Sequence, residues 1–287
     1  METKVTVSYL HHSGFTIAFD KTLLVFDYWE GEKGELPPEW RLNDAKLNAY
    51  DRVYVFISHN HPDHLDPVVY TWKPDAAITY VVSHETPIGT RGRRMAPGDV
   101  LALDTDLIVK AFDSTDLGVS YLVDVNGVRI FHAGDLNLWH WRQESTLKQI
   151  EAAEQAFESA MAPIVKEKID IAMFPVDPRQ GPMFDSGANH FILAVKPRLF
   201  LPMHFQGRGE VAVDFARRAR TKHTEVLALT QPGDRVEALL SDQESQFTLI
   251  AAKKLLPVKE AEKKRETDLK SHDDSDPFAD TDLPVDL

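Results

Sequence analysis

The sequence predicts an α/β protein in which two β-sheets are sandwiched between helices, a four-layer αββα arrangement. Three observations predict it. Short strand signals crowd the first half, a helical texture sets in near residue 142, and strand and helix signals then alternate, as a sheet covered by helices requires.

The strand signals fall at residues 3–10, 15–19, 23–26, 53–57, 77–82, 107–112, 119–125 and 128–131. Turn residues punctuate them, and Asn126-Gly127 between the last two is the clearest hairpin signature. From residue 142 to 168, Leu147, Ile150, Phe157, Met161 and Ile164 are spaced to share one face among Glu, Gln and Lys. That is the pattern of a long helix, interrupted near Pro163. Strand 169–174, helix 188–195, strand 199–203 and helix 211–221 follow. We read residues 1–257 as one domain. Residues 258–287 are Lys/Glu-rich and then Asp-rich with few large apolar anchors, and read as a flexible acidic tail.

Composition narrows the function. The 287 residues are 43% hydrophobic and 27% charged, ordinary for a soluble chain that buries a large core. A formal charge of −13 repels polyanions on average, which disfavours a nucleic-acid partner and favours a small-molecule substrate. The N-terminus has no secretory layout and no apolar run reaches membrane-spanning length, so the chain reads as cytoplasmic and not membrane-bound. Cysteine is absent, so any metal must be held by imidazole and carboxylate.

The strongest chemical signal is Ser58-His59-Asn60-His61-Pro62-Asp63-His64, directly after the apolar run 53–57. Residues i and i+2 at a strand end share a side, so His59 and His61 can converge on one ion. Pro62 fixes the backbone direction, leaving Asp63 and His64 to face a second ion. Mixed nitrogen and oxygen ligation suits zinc first, with manganese or iron as alternatives. The competing reading, an exposed His-rich loop, would leave much polarity uncompensated beside a buried strand.

These residues resemble the hallmark His-x-His-x-Asp-His of the metallo-β-lactamase superfamily, and the resemblance runs along most of the chain. His12-Ser13-Gly14-Phe15 is similar to an early His motif in the branch containing ascorbate-6-phosphate lactonase-like and N-acylphosphatidylethanolamine phospholipase D-like members. The resemblance implies the fold, a binuclear metallo-hydrolase activity, Asp135 in Phe131-His132-Ala133-Gly134-Asp135 as the bridging carboxylate, and His204 after residues 199–203 as the last histidine. Most members carry a further metal-binding histidine in the stretch matching residues 112–120, where this chain has none. Asp116 falls nearest the missing ligand, with Asp113 as the alternative and ordinary loop aspartates as the competing reading. His12 is read as a neighbour of the ligands, direct ligation remaining open.

Two divalent ions side by side acidify a water to hydroxide and polarise the bond it attacks, here an ester, lactone or phosphoester, with Asp63 or a metal-bound water delivering a proton to the leaving group. Arg179 and Arg208 could contact a substrate phosphate, or be surface arginines. His132 is a candidate partner of the ligands. His140 and His190 are candidate pocket residues, with structural histidines as the alternative. The Trp139/Trp141 pair reads as packing for the helix start. Phosphodiester or nucleic-acid cleavage, and a non-catalytic metal-binding member of the fold, are the alternative functions.

Overall fold

The computed structural model describes residues 2–241 and 244–252, and residues 1–252 form one unit. The expected boundary at residue 257 and the acidic stretch 258–287 lie outside the described residues. Two sheets account for the strands. The first contains β1 (Thr3–Tyr9), β2 (Phe15–Phe19), β3 (Thr22–Phe26), β4 (Arg52–Ile57), β5 (Ile78–Ser83) and β6 (Arg93–Met95), closed on the β1 side by β14 (Arg235–Leu240) and β15 (Ser245–Ile250). The second runs β7 (Val100–Asp104), β8 (Leu107–Phe112), β9 (Ser120–Val125), β10 (Val128–His132), β11 (Ile171–Pro175), β12 (Leu199–Met203) and β13 (Glu225–Val226), in spatial order from one edge to the other.

Strict side-chain alternation explains the layering. In β4, Tyr54 and Phe56 join the core between the sheets, while Val53, Val55 and Ile57 face outward into a second apolar cluster. Leu24 and Phe26 of β3 divide from Leu23 and Val25 in the same way. The outward face is covered by the short α1 (Asp44–Leu47), the 3-10 turn Pro67–Tyr70 and Trp72. On the far side, α2 (Leu147–Ile164) packs on α3 (Ser186–Val195) and β8, and α4 (Gly209–Ala219) packs on β12 and β13. The four-layer arrangement therefore holds, with one outer layer built mostly from irregular chain.

Local chemistry sets the boundaries. Asn126 and Gly127 both take positive φ, 52° and 84°, giving the two-residue hairpin expected between β9 and β10. A capping box of Thr146 and Gln149 starts α2 five residues later than the texture change at 142, because residues 142–145 are taken up by turns. Leu147, expected on its apolar face, is exposed, as it sits at the first turn beyond the packed stripe. Pro163 lies in the helix's last turn without ending it. The structure adds β6, β7, β13, β14 and β15, which sequence patterning did not mark.

The topology gathers strand ends. β3 to β6 are parallel, and β1 points the same way as β3 because each is antiparallel to β2. β10 to β13 are also parallel. The carboxyl ends of β1, β3, β4, β10, β11 and β12 carry His12, Asp27, the His59–His64 motif, Asp135, Asp177 and His204, and these meet in one place.

The sheets touch closely there. Gly118 (φ 84°) lies so near Ser58 that an added Cβ would sit 2.0 Å from the Ser58 carbonyl oxygen and 2.6 Å from the His59 Cβ. Gly134 (φ 55°) also approaches Ser58, where an added Cβ would sit 2.8 Å from the Ser58 Cβ. Val119 N–H donates to the Ser58 carbonyl at 3.1 Å, and the buried Tyr121 hydroxyl donates to the Ile57 carbonyl at 3.0 Å. Gly127 shares the 84° φ of Gly118 but has nothing within 4 Å. Gly127→Ala should therefore cost only the left-handed penalty of about 1–2 kcal/mol. Gly118→Ala must also push His59 aside, and chemical denaturation should show a loss clearly exceeding that of Gly127→Ala; equal losses would show that the apposition is slack.

Candidate metal centre

Two groups of side chains converge at these strand ends. His59, His61 and Asp135 form one, and His12, Asp63, His64 and His204 the other, each presenting donor atoms within 4.8 Å of one another. The contacts within and between them are short: His59 Nε2 to His61 Nδ1 3.0 Å, His12 Nε2 to Asp63 Oδ2 3.2 Å, and His59 Nε2 to Asp135 Oδ2 3.4 Å. The other Asp135 oxygen, Oδ1, stands 3.1 Å from His64 Nε2 and 3.4 Å from His204 Nε2. Asp135 thus turns one oxygen to each group, the posture of a bridging carboxylate.

The donors fit a cation. Ligand atoms each about 2.1 Å from a tetrahedral ion stand roughly 3.4 Å apart, which is the spacing found. His12 Nε2, His64 Nε2 and Asp135 Oδ1 are buried and make no well-aligned hydrogen bond, although they approach Asp63 and one another closely. Orphaned buried polar atoms cost roughly 1–3 kcal/mol each, and a shared cation satisfies all of them. The all-nitrogen-and-oxygen donor set admits zinc, manganese or iron.

Burial and charge act against each other across the site. Burial alone would raise the Asp135 carboxyl, but the imidazoles of His64 and His204 and hydrogen bonds from His59 and His64 hold it well below the usual carboxylate range. Burial would lower His64, yet Asp135 and Asp27 drive it well above an ordinary histidine. Burial, reinforced by His204, lowers His12 to about 3 despite its contact with Asp63, so its lone pair is free at neutral pH. Asp63 is lowered against its own burial, chiefly by the close contact with the His12 imidazole. A proton on His64 must leave before a cation binds there, so metal loading weakens in acid.

Two carboxylates behind the donors fix their rings. Asp27, buried at the end of β3, accepts from Ser58 N–H at 2.8 Å and from Ser58 Oγ at 2.6 Å, and its Oδ2 lies 2.8 Å from His64 Nδ1. Ser58 Oγ in turn meets His59 Nδ1 at 2.9 Å, so one carboxylate steers both imidazoles. Asp177, after β11, holds His204 Nδ1 at 2.8 Å and also grips Arg179; despite burial these partners lower it to about 2. Backbone strain marks the same places: His12, Asp27 and His204 have φ of 54°, 41° and 60°, in the left-handed region that non-glycine residues adopt at a cost. Sequence reading missed Asp27 as a functional residue and quoted Asp177 only beside Arg179. Each directly follows an apolar strand run, as His59 does, and that was the available signal.

The structure corrects several expectations. His12 stands among the donors rather than beyond them. Asp116 joins neither donor group: it is exposed at the rim of the cavity beside them, and its Oδ1 accepts from the Leu117 N–H at 2.9 Å. Asp113 is exposed, its Oδ1 bound by the Ser114 N–H. His132 touches no donor; its Nε2 meets the Ser13 carbonyl at 2.9 Å, its ring stacks on Phe26, and Asp27 Oδ2 is 3.7 Å away. His190 is exposed on α3 with its ring against Phe157, outside the site, because its helix covers the outer face of the second sheet. Arg208 is exposed and pairs with Glu210. His140 is buried with Nε2 on the Met183 carbonyl. Trp139 and Trp141, expected to pack a helix start, instead line the cavity beside His61, Asp63, Asp135 and Arg179, because α2 begins further along. That cavity holds about 450 Å³; a larger cleft of about 820 Å³, around Thr3, Asp20 and Arg52, lies at the opposite strand ends and has no such donor set.

An αββα sandwich with paired His/Asp groups at its strand ends defines a class. Residues 6–204 match the family model described as the beta-lactamase superfamily domain, and the chain belongs to that superfamily. It is a metal-dependent hydrolase of the metallo-β-lactamase fold. A UPF0173 metal-dependent hydrolase from Thermococcus onnurineus is similar at 25% identity over 253 residues, covering 81% of this chain and 99% of the relative. Igni18, a metallo hydrolase from Ignicoccus hospitalis, shares the fold with a TM-score of 0.59 and 17% identity, over 88% of this chain and 100% of its own. CmlA, a diiron β-hydroxylase from Streptomyces venezuelae, does so with a TM-score of 0.52 and 13% identity, over 86% of this chain and 54% of its own.

Removing an outer carboxylate should cost metal affinity by about 10–100-fold. Asp27→Ala and Asp177→Ala should each show this in competition with a chromogenic chelator, whereas Asp113→Ala should not differ from the parent protein. Parent-like affinity in Asp27→Ala would refute its steering role.

Proposed function

We propose that the chain hydrolyses an ester, lactone or phosphoester bond of a small molecule with two divalent cations, zinc foremost and manganese or iron as alternatives. The observation that carries this is Asp135, whose two oxygens face two separate donor groups. In this reading His59, His61 and Asp135 hold one ion, and His12, Asp63, His64 and His204 hold the other, with Asp135 shared. When bound, such ions supply an acidified water and polarise the oxygen of the scissile bond.

The chain's own residues supply the rest. Asp27 and Asp177 keep the imidazoles of His59, His64 and His204 aimed at the centre. Asp63, half-buried and facing the cavity, is held ionised with Oδ2 toward His12. Its other oxygen can take a proton from the attacking water and pass it to the leaving group. Phe26, Phe56 and Phe15 close the inner side against bulk water, strengthening every charge interaction within.

The donor sets are uneven. The stretch where the resemblance implies a further histidine has no imidazole here, and Asp116 joins neither donor group, so one group offers His59, His61 and the shared Asp135 while the other offers three imidazoles and Asp63 in addition. The second group should hold its ion more tightly. Reconstitution with zinc, manganese and iron in parallel, followed by titration calorimetry, should therefore show two unequal equivalents. His61→Ala should abolish the weaker and His12→Ala should weaken the tighter. Turnover should be measured with each metal on bis-p-nitrophenyl phosphate and a lactone panel. Fewer than two equivalents with no hydrolysis of any substrate would replace this reading with a metal-binding protein that does not catalyse. Asp63→Asn should cut kcat at least a hundredfold while circular dichroism shows an intact fold; near-normal turnover would remove Asp63 from the proton path.

A further inference from the structure

The cavity above the donor groups has a second chemical character that the metal reading leaves unused. Its 450 Å³ is within the range of small-molecule sites. Among the described residues lining it, Arg179 is the one Lys or Arg, and Trp139 and Trp141 are the large apolar surfaces.

Arg179 is only partly committed. Its Nε and Nη2 grip the Asp177 carboxylate, at 2.9 Å and 2.6 Å to Oδ2, which fixes the plane of the guanidinium. Its Nη1 makes no hydrogen bond to any described residue, and the side chain is 52% exposed at the cavity. A guanidinium held along one edge with the other edge free is pre-set to take a carboxylate or phosphate oxygen, and it loses little side-chain freedom in doing so.

Of the two indoles, Trp139 is anchored and Trp141 lies against it. Their rings lie 5.9 Å apart at an interplanar angle of 12°. Trp139 Nε1 donates to the Asp135 carbonyl at 2.8 Å, and its ring stands edge-on to His204. His140, between them, turns the opposite way and is buried: its N–H donates to Gln180 Oε1 at 3.2 Å and its Nε2 meets the Met183 carbonyl at 3.0 Å. That anchor ties the tryptophan segment to the loop carrying Arg179, so cation and aromatic wall are held in one frame. Preformed aromatic surface beside a preformed cation suits a ligand carrying both a ring and a negative group.

We propose that the substrate is a small aromatic or heteroaromatic anion, its carboxylate or phosphate on Arg179 and its ring on the Trp139/Trp141 wall. This rests on the two-metal reading for the identity of the reacting bond, but binding can be tested apart from it. Phenyl phosphate, phenylacetate, benzyl alcohol, inorganic phosphate and acetate are titrated into metal-loaded protein, with tryptophan fluorescence and calorimetry as readouts and metal content measured for each variant. The wild type should bind at least one aryl anion ten times or more tighter than benzyl alcohol; comparison of phenyl phosphate with phenylacetate identifies which anion is preferred. Arg179→Met should bring the aryl anions down to the level of the alcohol while its metal content stays at that of the wild type, and Arg179→Lys should restore part of the difference. Trp141→Leu should weaken the phenyl compounds and leave inorganic phosphate and acetate unchanged. Aryl-anion affinity equal in wild type and Arg179→Met overturns the proposal. So does loss of metal together with anion binding in both Arg179 variants, which would mean that the arginine acts only through Asp177 and His204. A wild type that shows the anion preference but holds fewer than two metals would instead count against the two-metal reading and leave this proposal supported.

Discussion

The structure depends on how closely the two sheets approach at Ser58. There the end of β4 meets the turns at Gly118 and Gly134, and neither contact leaves room for a methyl group. Elsewhere the sheets are separated by large aromatic side chains such as Phe56, Tyr121 and Phe131, which set an ordinary core spacing. At the strand ends the aromatic filling gives way to glycine, the sheets close, and donors from both are brought within about 3 Å of one another. The same closure buries the inner side of the site, so the charges there are screened less than charges at the surface. Fold and chemistry share this one constraint: the gap that admits the motif also buries it.

Burying that much titratable chemistry is unfavourable unless the charges answer each other. Asp135 remains ionised against its own burial because imidazoles surround it, and His64 is drawn toward its protonated form because two carboxylates flank it. Protons therefore do in the metal-free chain part of what cations would do in the loaded one. The left-handed backbones at His12, Asp27 and His204 are a further cost concentrated at the same point. None of the three is glycine, which would relieve the strain, because each position needs its side chain.

The sequence disclosed the site unevenly, and the reasons are physical. The His59–His64 motif was legible because its donors are close in sequence and follow a plainly buried strand. Asp135 and His204 were legible only through resemblance, since an isolated aspartate or histidine after a strand has many uses. Asp27 escaped because its role is defined by Ser58 and His64, more than thirty positions away, and its place after an apolar strand is a weak signal alone. Asp116 was assigned by distance along the chain, which could not foretell that its loop keeps the carboxylate for the neighbouring N–H. For the fold, strands with buried aromatic and β-branched residues were found at nearly their true limits. The edge strands β6, β7 and β15 were not, because half-exposed residues such as those of Val100–Asp104 carry little apolar contrast; β14, paired on both sides, was missed as well.

Asp27 has a consequence for how the centre assembles. It grips His64, which belongs to one donor group, and through Ser58 it orients His59, which belongs to the other. Any turn of the Asp27 carboxylate would therefore displace donors of both groups at once. The two groups share this anchor, so neither can be re-aimed without the other. Damage to Asp27 would thus spread across the whole centre, whereas damage to Asp177 would reach only His204 and the adjoining Arg179.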